Sequence, residues 1–86
     1  MNLEDKKKLE QLRLTIQLID ADILRLLEER IDAVKQVGSI KAKTNSPIYV
    51  PEVEKKKIES LSAACKYPGL VEVIWPVIMC YARSVE

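Results

Sequence analysis

Along the first half of the chain, apolar side chains recur in steps of three and four. Leu9, Leu12, Ile16, Ile19, Ile23, Leu26, Val34 and Val37 fall on one stripe, the period of an amphipathic helix rather than a strand. Good helix formers fill the rest, and neither proline nor glycine intervenes before Gly38. The pattern predicts one helix over residues 5–43, about 55–60 Å long at roughly 1.5 Å per residue. A second helix is predicted from Pro51, a good first-turn residue, with Glu52 and Glu54 suited to the positive end of the helix dipole. It carries Ile58, Leu61 and Cys65 inward and ends at Lys66-Tyr67-Pro68-Gly69, where Pro68 and Gly69 force a turn. A third helix is predicted from Leu70 to the end through Ile74, Val77, Ile78 and Tyr81, with Pro76 kinking it or marking an early turn. No period-two alternation and no repeat is present. The expected fold class is all-α, three helices in the order long, short, medium.

Size changes how that pattern is read. With 86 residues, the chain allows a single domain spanning 1–86. A core so small leaves a monomer marginal without disulfides, metal or oligomerisation. Cys65 and Cys80 are the only cysteines and make no disulfide framework. There is no histidine and no Cys-x-x-Cys spacing, so no metal site is expected. Oligomerisation remains. The residues after the first helix are too few to cover its whole stripe, so that seam needs a second copy or another chain.

Charge adds exclusions. The net charge is +1 with acids and bases interspersed, which suggests neither nucleic acid nor an anionic membrane as partner. Lys6, Lys7 and Lys8 are flanked by Glu4, Asp5 and Glu10 and read as a solvated helix start. The charged N-terminus is unlike a signal peptide, and no apolar run approaches the ~20 residues of a membrane span. A soluble, cytoplasmic protein is expected.

Two cations interrupt the apolar stripe. Arg30 and Lys41 stand eleven residues apart, three helical turns to within about 20°, so both leave the same side roughly 16 Å apart. Two long cationic arms so placed would close on one small dianion between them; the alternative is that both snorkel outward from the stripe's edge. Arg13 borders the same stripe, about 25 Å from Arg30 along the helix. It would share a small ligand with Arg30 only if it came from a second subunit packed antiparallel; otherwise it is a surface arginine.

These residues carry a resemblance. "LEQLRLTIQLIDADILRLLEERIDAVKQVGSIKAK" followed by "PIYVPE" resembles the all-helical class of chorismate mutase, especially the mutase domain fused to prephenate dehydrogenase in bifunctional proteins. The pattern runs Leu-x-x-Leu-Arg-x-x-Ile-x-x-Ile-Asp, Leu-Leu-x-x-Arg, Val-Gly-x-x-Lys and a proline-containing loop, covering nearly the whole chain. The resemblance implies an intertwined helical homodimer with two equivalent sites, each completed by Arg13 of the partner subunit. It implies chorismate as substrate, rearranged to prephenate in one pericyclic step with no nucleophile and no cofactor. Catalysis would come from holding the compact reactive conformer and from donors placed where charge grows on the breaking ether oxygen.

By position, the resemblance assigns carboxylate binding to Arg30 and to Arg13 of the partner subunit. Lys41 would contact a carboxylate and the ether oxygen. Glu54 matches the hydroxyl-binding glutamate, although a helix-start glutamate favoured by the dipole is the plainer alternative. Val50 stands where a backbone N–H faces the hydroxyl. Glu86 stands where many relatives have glutamine as second ether-oxygen donor. An ionised carboxylate cannot donate, so Glu86 must be protonated there, and kcat/KM should rise toward mildly acidic pH.

Two positions depart from the pattern. Ala82 aligns with a serine that touches a carboxylate in some relatives, which alanine cannot do. Val53 stands where relatives commonly carry arginine, so a cation that would help hold the dianion is missing. One charge-assisted hydrogen bond is worth on the order of 1.5–3 kcal/mol, and a working but weak mutase is expected. The rivals are an isochorismate–pyruvate lyase or an aminochorismate mutase on the same fold, and a non-catalytic dimerisation or regulatory module with a degenerate site.

Overall fold

The computed structural model describes residues 1–86 as three α-helices: α1 (Leu3–Thr44), α2 (Pro51–Ala64) and α3 (Leu70–Val85), with no strand. The all-α class and the long, short, medium order are those expected from periodicity. Helix α1 begins earlier than its apolar stripe suggests, because Asn2 caps it. The Asn2 Oδ1 accepts from the Asp5 N–H at 2.7 Å, and the Asn2 carbonyl accepts from the Lys6 N–H at 3.0 Å. An Asn side chain thus satisfies an N–H that has no intrahelical partner.

The other end of α1 stops on Asn45, which adopts a left-handed φ of 53°. The Ser46 N–H then reaches back to the Lys41 carbonyl at 2.9 Å. This is the six-to-one bond of a Schellman cap, which turns the chain back over the last helical turn. Thr44 Oγ1 donates to the Ile40 carbonyl at 3.1 Å and lies 2.8 Å from Ser46 Oγ. Gly38, by contrast, does not end the helix; it lies inside it.

The chain divides into two compact units, Met1–Arg30 and Ile31–Glu86. The first is helical throughout after its cap. Its stripe residues Leu12, Ile16, Ile19, Ile23 and Leu26 are 49–56% exposed. Arg25 is held locally, 3.1 Å from Glu29 on the next turn. Five large aliphatic side chains at half exposure form a continuous apolar seam along this unit.

The second unit holds the core, built where α2 packs on α3. Val71, Met79 and Ala82 are buried, and Ile58, Leu61, Trp75 and Ile78 are half-buried around them. Helix α3 is apolar on both sides, so Val73, Ile74, Val77 and Tyr81 remain exposed on its far face. The Ser62 hydroxyl donates to the Glu72 carboxylate across the α2–α3 pair, and that bond holds the Glu72 carboxyl below its usual range. The turn between them depends on Gly69, whose φ of 83° opens α3; a side chain there would be strained. Pro76 sits within α3, which continues to Val85, and the missing N–H leaves the Glu72 carbonyl without its helical donor. No helix is long and apolar enough to cross a membrane.

Candidate active site

The polar groups of the second unit gather at the end of α1, the loop after it, the start of α2 and the end of α3. The Schellman turn sends the chain back past Lys41, so the Lys41 Nζ donates to the Ile48 carbonyl at 3.0 Å. The same ammonium lies 2.9 Å from Glu86 Oε1, and the Glu86 side chain is only 8% exposed. Glu86 Oε1 is buried and accepts no hydrogen bond of good geometry, so its contact with Lys41 is ionic rather than directed.

Gly38 makes this approach possible. A Cβ built there would stand 2.7 Å from the Glu86 carbonyl carbon and 3.0 Å from its Cγ. The spacing Gly38-Ser39-Ile40-Lys41 therefore joins two requirements on one helix face, room for the end of α3 and a cation beside it.

Val50 is the N-cap of α2, extended at φ −122° and ψ 93°, with Pro51 opening the helix. Its carbonyl accepts from the Val53 and Glu54 N–H groups at 3.1 and 3.3 Å, and its own N–H has no backbone partner. Glu54 follows in the first turn. Arg83, from α3, brings Nη1 to 2.6 Å from both Glu54 oxygens. The guanidinium lies 4.7 Å from the centre of the Tyr49 ring, within cation–π range. The Glu54 hydrogen bond, ahead of an opposing desolvation, pushes the Arg83 guanidinium above its already high ordinary range.

The structure thus brings Lys41 together with Glu86, and Glu54 with Arg83 and Tyr49. Ala82 lies in the core at 6% exposure. Val53 is 58% exposed, and Lys55, Lys56 and Lys57 are exposed as well. In the first unit, Arg13 is exposed, whereas the Arg30 Nη1 is buried without a hydrogen-bond partner. A buried guanidinium donor left unpaired is uncommon. Arg83 is the residue that sequence reasoning missed. It is the only cation on α3, a signal that would have singled it out.

No three His, Cys, Asp or Glu side chains gather as they would around a metal ion. An apolar groove on α3, lined by Pro76, Val77, Cys80, Tyr81 and Ser84, carries no cation. Two cations, two carboxylates and a backbone N–H without a backbone partner thus lie among these elements, groups able to donate to and accept from a polar ligand.

The sequence model of the family described as chorismate mutase type II matches residues 12–86, a span that contains every residue of this cluster. A bifunctional chorismate mutase/prephenate dehydratase of Aquifex aeolicus is 47% identical over 55 residues, 64% of this chain and 15% of the relative. The T-protein of Enterobacter agglomerans is 40% identical over 79 residues, 84% of this chain and 20% of the relative. The T-protein of Haemophilus influenzae is 31% identical over 77 residues, 88% of this chain and 20% of the relative. The chain therefore spans at most a fifth of the length of these curated relatives. No solved structure matches it significantly.

Proposed function

Because the chain belongs to the chorismate mutase type II family, we propose that it rearranges chorismate to prephenate, on the route to phenylalanine and tyrosine. The ether C–O bond breaks as the new C–C bond forms, so atoms balance within one molecule and no nucleophile or cofactor takes part. The observation that carries the reading is the Lys41 ammonium. It is held at 3.0 Å from a loop carbonyl and 2.9 Å from a nearly buried carboxylate. A cation fixed before substrate arrives needs no reorganisation when charge develops on the ether oxygen.

In this reading, Lys41 donates to the ether oxygen and to one carboxylate. Glu86, protonated, is the second donor. Arg30 and Arg13 of the partner subunit take the carboxylates, a role that arginine's flat fork fits; the unpaired Arg30 Nη1 supports it. Glu54 accepts from the substrate hydroxyl and the Val50 N–H donates to it. Residues 1–86 act as one mutase domain, working as a cytoplasmic homodimer in which the exposed seam of α1 is the contact. Half-exposed aliphatic side chains along several helical turns favour association with an equal partner over exposure to water.

The test is chorismate consumption by the purified chain, with prephenate identified as product, against Lys41→Ala. Wild-type turnover that Lys41→Ala abolishes supports the reading. A folded wild type that leaves chorismate unchanged, or that releases salicylate from isochorismate instead, overturns it.

A further inference from the structure

The second unit gathers one lysine and two carboxylates around the place proposed for the substrate: Lys41 against Glu54 and Glu86. On those three groups alone the cluster has no net positive charge, even with Glu86 protonated as its proposed role requires, so it offers a dianion no net attraction. Val53, next to Glu54, is apolar and adds no charge. Arg83 restores the balance, and it does so at one carboxylate: its Nη1 is 2.6 Å from both Glu54 oxygens.

The contact is more than a surface ion pair. The Glu54 and Arg83 side chains are 25% and 33% exposed, and Tyr49 covers the guanidinium at 4.7 Å. Loop, α2 and α3 each contribute one member: Arg83 of α3 holds the Glu54 carboxylate of α2, and Tyr49 of the loop covers the guanidinium. A carboxylate offers about four acceptor directions, and Arg83 uses two of them. The others stay available to a hydroxyl, from an oxygen pair whose orientation is set in advance.

We propose that Arg83 is a positioning residue: it fixes the Glu54 carboxylate for the substrate hydroxyl and supplies the positive charge that lets this part of the site accept an anion. This rests on the mutase reading given above. Arg83 acts through Glu54, so its effect should vanish when Glu54 no longer carries the charge it holds. A side chain that merely tied α2 to α3 would change the melting temperature and leave kcat/KM of the folded protein unmoved.

The experiment is a double-mutant cycle on the full chain, with Arg83→Ala, Glu54→Gln and the double variant read for kcat, KM and thermal melting. Arg83→Ala should lower kcat/KM by about ten- to a hundredfold, the size of one charge-assisted hydrogen bond. In the Glu54→Gln background the same change should cost no more than about twofold, because coupled groups are not additive. Arg83→Lys, which keeps the charge, should retain more activity than Arg83→Gln, which keeps a hydrogen-bonding side chain without it. Those two variants carry the test if Arg83→Ala melts early. An Arg83→Ala within twofold of wild type, equal losses in both backgrounds, or equal activity of the lysine and glutamine variants would overturn the role of Arg83 alone. A folded wild type that converts no chorismate overturns the mutase reading, and this inference with it.

Discussion

Lys41 Nζ lies 2.9 Å from Glu86 Oε1 while it donates to the Ile48 carbonyl at 3.0 Å. One ammonium therefore joins the end of α1, the following loop and the end of α3. Lys41→Ala removes the donor proposed for the ether oxygen and leaves the Glu86 carboxylate nearly buried without its counter-charge. Loss of a preorganised donor of this kind costs about 10²–10³ in kcat. Leaving the carboxylate unpaired lowers stability by about 1–3 kcal/mol. Prephenate formation and thermal melting, followed together, separate the two effects; Lys41→Ala with unchanged turnover would show that the ether oxygen is served from elsewhere.

The same pair yields a donor test. An ionised Glu86 only accepts hydrogen bonds, whereas its proposed role requires donation. Glu86→Gln supplies a permanent donor of nearly the same shape and should keep or raise kcat/KM. Glu86→Ala, which has no donor, should lower it by about ten- to a hundredfold. Equal losses in the two variants would remove Glu86 from the ether-oxygen position.

Gly38→Ala opposes two effects on one helix. Alanine is a better helix former than glycine by roughly 1 kcal/mol in an exposed interior position. Yet its Cβ would stand 2.7 Å from the Glu86 carbonyl carbon, and the end of α3 must move away. Helicity by circular dichroism should hold or increase while kcat/KM falls by at least tenfold, a loss of about 1.4 kcal/mol in transition-state binding. Retained activity would mean that the position of Glu86 beside Lys41 has no part in turnover.

The fold was legible wherever one residue type forces the backbone. Pro51 begins α2 and Gly69 opens α3, both at the places their chemistry demands. The ends of α1, expected at residues 5 and 43, lie at Leu3 and Thr44; the last residue or two at each end are decided by the side-chain cap of Asn2 and the left-handed Asn45, which periodicity does not show. The inner face of α3 was hidden for another reason. Its apolar residues surround the helix, so periodicity does not choose Val71, Met79 and Ala82 over Ile74, Val77 and Tyr81. Lys41 was visible as a charge on an apolar stripe, but Arg83 meets Glu54 across 29 residues of chain. Its lone positive charge marks Arg83 on α3, but no local pattern names Glu54 as its partner.

Val53 gives a prediction of gain. It is 58% exposed beside Glu54, so a longer side chain has room to reach out without disturbing the core. Val53→Arg adds a cation near the proposed dianion and should raise kcat/KM on the order of tenfold, one charge-assisted hydrogen bond converted to rate. The gain should show mainly in KM if the new arginine binds substrate and transition state alike. No gain, or a loss, would mean that Arg83 already meets the charge requirement of this corner, or that the dianion lies elsewhere.

The proposed dimer makes a prediction that no single-chain arrangement shares. Arg13 is exposed on a helix whose apolar seam is also exposed, and the proposal has it complete a site built around Lys41 of the other subunit. Arg13→Ala and Lys41→Ala should each be nearly inactive as pure proteins. When the two are unfolded together and refolded, a mixed dimer pairs an intact Lys41 with an intact Arg13 at one site and both alanines at the other. Random pairing makes about half of the dimers mixed, each with one good site, so about a quarter of wild-type activity should return. Sedimentation should give a dimer for both variants, because neither substitution removes an aliphatic side chain of the seam. If the mixture stays as inactive as its parts while dimers form, Arg13 and Lys41 do not meet across subunits. If wild type sediments as a monomer and is still active, the seam has another purpose and Arg13 no place in the site.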